Sequence, residues 1–202
     1  MDSQCFFDEH AESWDAHRSP EEEARLARVV VLAEVQPGQA VLDVATGTGV
    51  LIPHLLSRLG AAGRVVATDL SPGMLEVARS KGFPPNVTFL EADVHQLPLP
   101  DADFDQVICN AALPHFEDQV ESIREMARVL RPGGMLTISH PIGRDAVNAR
   151  HRNAGGPVRH HQVPPPDVMS ELLRAAGLTE VQIIDEPEFY LTAGRKPRPT
   201  GG

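Results

Sequence analysis

The chain of 202 residues has few cysteines and few aromatic side chains. Its two cysteines, Cys5 and Cys109, lie far apart and match no metal-binding or redox spacing. One Trp, one Tyr and seven Phe provide no evident platform on which nucleic-acid bases could stack. No segment approaches the roughly 18 consecutive apolar residues that a membrane-spanning helix needs. These absences argue against a membrane span and against a base-stacking surface, and the isolated thiols fit a reducing compartment.

Positive charge is also scarce, because 18 Lys and Arg residues stand against 28 Asp and Glu residues. The formal net charge of -10 repels phosphate backbones, which argues against binding nucleic acid over a broad surface. The acidic N-terminus, MDSQCFFDEHAESWDAH, lacks the apolar core of a secretory signal. We therefore expect a cytoplasmic protein with one domain over residues 1–195, followed by a disordered tail at 196–202.

What the chain does contain is a regular alternation of apolar runs and amphipathic stretches. The apolar runs predict strands at 39–45, 63–70, 86–93, 104–113 and 135–140, and helices are predicted at 20–35, 50–60, 71–82, 117–134 and 165–177. Two further strands, 178–186 and 188–196, leave no room for a helix between them, so they must pair antiparallel. The pattern predicts an α/β fold with a Rossmann-like, doubly wound, mostly parallel seven-stranded sheet and a C-terminal antiparallel hairpin.

Two segments lie outside this alternation. Residues 1–36 are predicted to form an N-terminal helical cap, whose second helix begins with Pro20 and three glutamates. The stretch 141–164 shows no helical pattern and is long for a connection within a compact domain. Because such loops are often functional, we expect a lid-like loop there.

The stretch VLDVATGTGVL, residues 41–51, is an apolar run that ends in a Gly-Thr-Gly loop. In open parallel sheets, ligands bind beyond the carboxyl ends of the strands. Gly47 and Gly49 allow the backbone to approach a ligand without a Cβ between them. A dinucleotide-binding fingerprint would place a third glycine at position 52, where this chain has Ile52. That difference weakens the interpretation of the loop as a pyrophosphate site.

Three aspartates, Asp43, Asp69 and Asp93, lie at the ends of the first three predicted strands. Asp69 follows Gly49 by 20 residues, which is the spacing expected of an acid that binds a ribose. Carboxylates accept hydrogen bonds from hydroxyls and amines, and they attract cations. The set therefore predicts a positively charged nucleoside rather than a pyrophosphate.

Five stretches in order resemble the motif series of class I S-adenosylmethionine-dependent methyltransferases: VLDVATGTGVL, VVATDLSPGML, EADVHQLPLPDADFD, VICNAALPHF and ARVLRPGGML. Within that class, the chain most resembles the small ubiquinone/menaquinone-type methyltransferase group. The resemblance covers about residues 37–140, and FFDEHAESWDAH resembles the N-terminal helix of that group. It implies an enzyme that uses S-adenosyl-L-methionine and releases S-adenosyl-L-homocysteine.

The resemblance also implies a set of cofactor-binding residues. Asp43 would hold the glycine loop or the methionine amine, Asp69 the ribose hydroxyls, and Asp93 the adenine amine. For the apolar members of the set, ordinary core packing is an equally good explanation. The implied set is Asp43, Ala45, Gly47, Thr48, Gly49, Asp69, Leu70, Met74, Asp93, Val94 and Asn110.

The acceptor side is marked mainly by histidines. His115 follows the fourth strand, His140 ends the fifth, and His151 lies in the stretch 141–164. We take His140 and His115 as candidates for a general base or for orienting the substrate, and His151 as a third candidate. The same stretch also contains His160, His161, Arg144, Arg150, Arg152 and Arg159. A metal site, attraction of an anionic substrate and a solvated loop without a role remain alternatives for it.

Methyl transfer to a small-molecule acceptor, assisted by a base or by proximity alone, is the expected function. The fourth strand ends in NAALPHF rather than the Asn/Asp-Pro-Pro-aromatic sequence of adenine- and glutamine-directed amino methyltransferases. A nicotinamide-dependent oxidoreductase is disfavoured by Ile52 and by Gly194, which stands four residues after Tyr190 where a short-chain reductase has lysine. A non-catalytic S-adenosylmethionine sensor remains open, as do the acceptor atom and the oligomeric state.

Overall fold

The computed structural model describes residues 3–15, 19–154 and 159–199, which form helices on both faces of one sheet. The strands are β1 (Ala40–Val44), β2 (Arg64–Asp69), β3 (Val87–Glu91), β4 (Phe104–Asn110), β5 (Leu130–His140), β6 (Thr179–Glu186) and β7 (Phe189–Arg195). The α-helices are α1 (Ser3–His10), α2 (Pro20–Leu32), α3 (Ile52–Leu59), α4 (Pro72–Ser80), α5 (Gln119–Val129), α6 (Arg144–Ala154) and α7 (Pro166–Ala175). None of these described helices combines the length and the apolar character that a membrane crossing requires.

The sheet has the strand order β3-β2-β1-β4-β5-β7-β6. Strands β1 to β5 run parallel, and β7 pairs antiparallel with both β5 and β6. This arrangement confirms the predicted mostly parallel sheet with a C-terminal antiparallel hairpin. The chain moves outward from β1 to β3 and then returns to β4 on the other side of β1, so the carboxyl ends of β1 and β4 mark the switch point where ligands bind in such sheets.

Strand β1 illustrates why both faces of the sheet are covered. All five of its residues are buried, and successive side chains point to opposite faces. Val41 packs with apolar residues of α2 and α3, whereas Leu42 packs on the other face with residues of α5 and α7. The sequence of a strand that is buried on both faces is apolar along most of its length. In β1 only Asp43 departs from this pattern.

The helix ends follow local capping chemistry. Ser19 and Glu22 form a reciprocal capping box at the start of α2. Ser71 accepts a hydrogen bond from the Met74 amide at the start of α4, as its position before Pro72 predicts. Gly60 ends α3 with a φ of 63°, which a glycine adopts without strain.

The predicted end of α5 and start of β5 are wrong. We expected the helix to continue to residue 134, but it ends at Val129, and β5 begins at Leu130. Leu130 is buried and pairs with Phe104 of β4, so pairing in the sheet overrides the helical pattern. Arg131 precedes Pro132, a position that disfavours helical backbone.

The prediction of an irregular stretch at 141–164 is wrong for its first half, because α6 occupies Arg144–Ala154. The helix buries only Val147 and Asn148, so its sequence lacks the apolar period that would reveal it. Asn148 fixes the following segment: its Nδ2 donates to the Val163 carbonyl at 3.1 Å, and its Oδ1 accepts from the Val163 amide at 2.8 Å.

The predicted disorder of 196–202 does not hold for Lys196. Its Nζ donates to the carbonyls of Ala127, Arg128 and Leu130 at 2.8, 3.1 and 2.8 Å. These acceptors lie at the carboxyl end of α5, where backbone carbonyls have no partners within the helix. Lys196 therefore stabilises the junction between α5 and β5. Residues 200–202 lie outside the described part of the chain.

Replacing Lys196 with Met should destabilise the protein by about 1–3 kcal/mol, because three carbonyls lose a charged hydrogen-bond donor. Urea unfolding measures the change. Arg124→Met is the control, since Arg124 is 56% exposed and its ion pair with Glu121 is long at 3.5 Å. That control should change stability by less than about 0.5 kcal/mol. Equal losses in the two variants would contradict the role of Lys196.

Candidate active site

A pocket of about 360 Å³ lies at the carboxyl ends of β1, β2 and β4. Its position at the switch point of the sheet is the one that the strand order predicts. Of the eleven residues implied to bind a cofactor, ten line this pocket and only Gly49 does not. The ten are Asp43, Ala45, Gly47, Thr48, Asp69, Leu70, Met74, Asp93, Val94 and Asn110.

The two glycines of the loop have different roles. Gly47 lines the pocket with a φ of 57°, and a Cβ added there would meet no atom within 4 Å. Gly49 lies behind the loop, where an added Cβ would come within 3.0 Å of the Ile52 side chain and 3.2 Å of the Phe83 ring. Gly49 is therefore required by packing, whereas Gly47 leaves open space beside the pocket. Ile52 occupies the position of the missing third glycine and is fully buried under the loop.

Asp43 is a buried carboxylate at the pocket wall. Its Oδ2 accepts a hydrogen bond from the Thr46 hydroxyl at 2.6 Å, which braces the loop. Burial is the main cause that raises the pKa of Asp43 to about 7; the hydrogen bond from Thr46 opposes the shift, and the nearby carboxylate of Asp69 adds to it. A cation in the pocket would favour the ionised form of this group.

Asp69 ties the end of β2 to two neighbouring elements. Its Oδ2 accepts from the Gly47 amide at 2.7 Å, and its Oδ1 accepts from the Ser71 amide at 2.9 Å. Burial raises the pKa of Asp69 even though these backbone bonds lower it. Among the described residues, neither Asp43 nor Asp69 forms an ion pair with a basic side chain. The buried Asp43 and the half-buried Asp69 thus line one pocket, and neither has a basic partner among the described residues.

Asp93 is held by His95, a pocket residue that the sequence did not single out. The carboxylate of Asp93 accepts from the amide of His95 at 2.9 Å and from its Nδ1 at 2.6 Å. The Asp118 amide donates to Nε2 of the same ring at 3.2 Å, which leaves the proton on Nδ1. The hydrogen bonds from His95 lower the pKa of Asp93 against the effect of burial.

The N-terminal segment closes one side of the pocket with aromatic rings. Phe7 and Trp14 line the cavity, and their ring centroids lie 5.6 Å apart. Phe7 also packs edge-on against the ring of His115, with a centroid distance of 5.2 Å. Sequence reasoning assigned neither ring to the site, although it did predict a cap from the motif that contains them.

Two aspartates attach this segment to the rest of the site. Asp8 accepts a hydrogen bond from the Ser71 hydroxyl at the start of α4. Asp15 accepts from the Thr48 hydroxyl at 2.8 Å and pairs with Lys81 at 2.6 Å. Lys81 also donates to the Thr48 carbonyl, so the glycine loop and the cap share one network. Only the acidic character of the segment indicates these contacts at the level of sequence.

The three candidate bases do not share one position. His115 lines the pocket, whereas His140 and His151 do not. His140 lies opposite Tyr190 in the β5–β7 pair and is buried, and its Nε2 has no hydrogen-bond partner among the described residues. Tyr190 is also fully buried and packs with Val147 and other core residues outside the pocket. The end of β5 is therefore covered, which removes His140 from the pocket wall.

His115 belongs to a cluster of imidazoles behind the pocket. Its Nδ1 lies 3.0 Å from Nδ1 of His161, and its ring centroid lies 4.9 Å from that of His151. Burial is the main cause that lowers the pKa of His115 to about 3, and the neighbouring His151, His161 and His140 contribute in the same direction. The ring is therefore neutral at pH 7 and can accept a proton. Within the described part of the chain, no group of three or more His, Cys, Asp or Glu side chains is arranged to hold a metal ion.

The fold and the pocket define an α/β nucleoside-binding protein with methyltransferase motifs. A family model described as "Methyltransferase domain" matches residues 42–138. Over 188 residues the chain is 32% identical to the ubiquinone/menaquinone biosynthesis C-methyltransferase UbiE of Enterobacter sp. (strain 638), covering 79% of this chain and 72% of that protein. The chain belongs to the class I S-adenosylmethionine-dependent methyltransferase family, and its relatives are of the UbiE type.

Other relatives match over a shorter region. UbiE of Ectopseudomonas mendocina (strain ymp) is 41% identical over 113 residues, which cover 54% of this chain and 44% of that protein. The match thus spans less than half the length of that relative. A solved S-adenosylmethionine-dependent methyltransferase from Aquifex aeolicus has the same fold, with a TM-score of 0.72 at 23% identity and coverage of 93% of this chain and 96% of that chain.

The pKa of Asp43 predicts how the stability of the free protein depends on pH. The folded-state pKa of about 7 lies above the ordinary 3.8, so the folded state binds more protons between these values. The stabilising contribution of this carboxyl is fully present below about pH 4 and is lost as pH rises through about 7.

Asp43→Asn retains an oxygen acceptor for Thr46 and cannot ionise, so its stability should fall less than that of the wild type between about pH 4 and pH 8. Urea unfolding at both ends of this range measures the difference. Asp167→Asn alters an exposed acid of α7 and should keep the wild-type slope. Identical slopes for the wild type and Asp43→Asn would exclude a raised pKa at this position.

Proposed function

We propose that this protein transfers the methyl group of S-adenosylmethionine to a ring carbon of a small quinol. The observation that carries the proposal is a pair of carboxylates, the buried Asp43 and the half-buried Asp69, which line one pocket without a basic partner among the described residues. Buried carboxylates are costly unless a cation or hydrogen-bond donors compensate them. A ligand with a cationic amino-acid tail and a ribose diol supplies both.

The residues of the pocket fit this cofactor. Asp43 would hold the methionine ammonium, Asp69 the ribose hydroxyls and Asp93 the adenine amine, while Leu70 and Met74 would contact the adenine faces. Gly47 provides the open backbone that a close ligand needs. When bound, S-adenosylmethionine supplies an electrophilic methyl group, so the protein has to align the acceptor, exclude water and remove a proton.

The aromatic residues of the pocket would form its acceptor side. Phe7, Trp14 and Phe116 offer apolar surfaces to a flat ring, and His115 offers a neutral imidazole beside them. A quinol becomes more nucleophilic at its ring carbons when a hydroxyl loses its proton, and His115 is the group that would accept it. The name of the UbiE relatives, C-methyltransferases of ubiquinone and menaquinone biosynthesis, supports a carbon acceptor of this kind.

We assign the remaining segments to the same domain, residues 1–195. The cap at 1–36 would shield the reaction from water through Phe7 and Trp14. The stretch 141–164 would act behind His115 rather than over the pocket, since none of its described residues lines the cavity. His151 and His140 would then act through neighbouring groups and not on the acceptor itself.

The direct test is a reaction of the protein with S-adenosylmethionine and 1,4-naphthoquinol under reducing conditions. We expect S-adenosylhomocysteine and an equal amount of ring-methylated product, measured by mass spectrometry. Air oxidation separates the possible products, because a C-methylated quinol oxidises to a methylquinone and an O-methyl ether does not. An O-methylated product would overturn the carbon acceptor while leaving methyl transfer intact.

Two further outcomes would replace the proposal. Tight binding of S-adenosylmethionine without S-adenosylhomocysteine formation, across quinols, phenols, thiols and amines, would indicate a sensor. Binding of a nicotinamide dinucleotide in preference to S-adenosylmethionine would indicate an oxidoreductase.

Asp43→Asn should weaken binding of S-adenosylmethionine about 10-fold or more at pH 8, because a charge-assisted hydrogen bond to the ammonium is lost. Binding of 5′-methylthioadenosine, which lacks the amino-acid tail, should change by less than about 2-fold. Isothermal titration calorimetry measures both, and Asp167→Asn is the matched control for loss of one carboxylate. A similar loss for both ligands would place the effect in the nucleoside site or in the loop structure instead.

A further inference from the structure

Methylation of a ring carbon releases a proton into a pocket that the cap covers. The hydroxyl proton goes to His115, the ring carbon forms a bond with the methyl carbon, and the methyl–sulfur bond breaks with its electron pair going to sulfur. The ring C–H proton then moves to the deprotonated oxygen as the ring regains its aromaticity. One proton per turnover must therefore leave the site. This requirement rests on the proposed function, and the structure of the imidazole cluster suggests how it is met.

The surroundings of His115 disfavour a positive charge on its ring, so the ring does not retain that proton. Its ring packs between Phe7 of α1 on one side and His151 and His161 on the other. The neighbours that act on its pKa through charge are His151 of α6, His161 and His140 of β5, and all of them oppose a positive charge. A proton accepted by this ring must move on before the next turnover.

The contact between His115 and His161 offers a path. Their Nδ1 atoms lie 3.0 Å apart, so one nitrogen donates a proton and the other accepts it. If Nε2 of His115 accepts the proton of the acceptor, Nδ1 of that ring carries the hydrogen, and Nδ1 of His161 is the acceptor. His161 is only half-buried and is preceded by the exposed His160, so its far side reaches solvent.

We infer that His161 is the proton exit of this site. Nε2 of His115 takes the proton from the acceptor, the Nδ1 proton of His115 passes to Nδ1 of His161, and the Nε2 proton of His161 passes to water. The number of protons on the pair is unchanged, but both rings end in the opposite tautomer. The reverse transfer restores the starting tautomers after the product has left: water supplies a proton to Nε2 of His161, the Nδ1 proton returns to His115, and Nε2 of His115 gives its proton to water in the open pocket. His161 does not touch the pocket, so it acts through His115.

Helix α6 holds His161 in place from two sides. Nδ1 of His151 lies 2.7 Å from the His161 carbonyl, and because a carbonyl only accepts, this nitrogen must donate. Asn148 binds both backbone groups of Val163, two residues further on. Through these contacts the largely polar helix α6 would orient His161. His151 is therefore a positioning residue.

The test compares His161→Gln with His160→Gln. Gln at 161 can still accept the Nδ1–H of His115, which preserves the orientation of that ring, but it cannot carry a proton onward. We expect kcat to fall about 10-fold or more with S-adenosylmethionine affinity within about 2-fold of the wild type. In His161→Gly, added imidazole should restore part of the lost rate. His160→Gln should retain the wild-type kcat.

The pH profile separates a relay from a structural role. The deficit of His161→Gln should shrink as pH or buffer concentration rises, because other bases then collect the proton from His115. The imidazoles of His140, His151 and His160 face the pair and stay unchanged in this comparison. A wild-type kcat in His161→Gln, or a loss of kcat that neither imidazole nor buffer restores, would overturn the inference.

An NMR measurement keeps the inference testable even if no methyl acceptor is found. Nitrogen-15 spectra of the histidine rings should assign the Nδ1–H tautomer to His115 and the Nε2–H tautomer to His161. Replacement of His161 by Phe, which cannot accept a hydrogen bond, should shift the His115 ring nitrogens, whereas His160→Gln should not. The opposite tautomers, or an unchanged His115 in His161→Phe, would remove the path irrespective of the methyl-transfer assay.

Discussion

Two neighbouring carboxylates at the strand ends determine much of this site. A charge taken out of water without a partner is costly, so desolvation raises the pKa of Asp43 to about 7 and raises the pKa of Asp69 as well. Their oxygens nevertheless accept hydrogen bonds within the protein. Asp43 accepts from the Thr46 hydroxyl, and Asp69 accepts from the amides of Gly47 and Ser71. The glycine loop therefore takes its shape from the same groups that would attract a cation. Loss of one carboxylate would change the electrostatics and the geometry of the site together.

Another part of the pocket has a different character. There, His115 is neutral at pH 7 and lies against the ring of Phe7, and its other neighbours are imidazoles rather than acids. With the positive charge of the cofactor near Asp43, an acceptor beside His115 would meet aromatic rings and imidazoles instead of the two carboxylates. The proposed reaction would then keep its charged and uncharged partners in separate parts of the pocket, where a low local dielectric would strengthen the effect of each.

The strands and the acidic residues at their ends could be predicted because both depend on short-range rules. Apolar runs identify buried strands, and parallel connections bring their carboxyl ends to one edge, so a strand-end acid is also a pocket acid. Helix α6 escaped prediction because it buries only two residues, and the start of β5 did so because pairing with β4 overrides helix propensity. The contact of His115 with His161 joins residues 46 positions apart, and no local pattern encodes it.

The position of β7 has a consequence for synthesis of the chain. This strand is the last in sequence, yet it lies inside the sheet between β5 and β6. Until it emerges from the ribosome, β5 presents an unpaired edge, which is the kind of surface that pairs wrongly with other chains. The α5–β5 junction is also incomplete until then, because Lys196 reaches back 66 residues to the Leu130 carbonyl. The nascent sheet must therefore remain open on one side, and exposed to chaperones and to other nascent chains, until almost all of it has been translated.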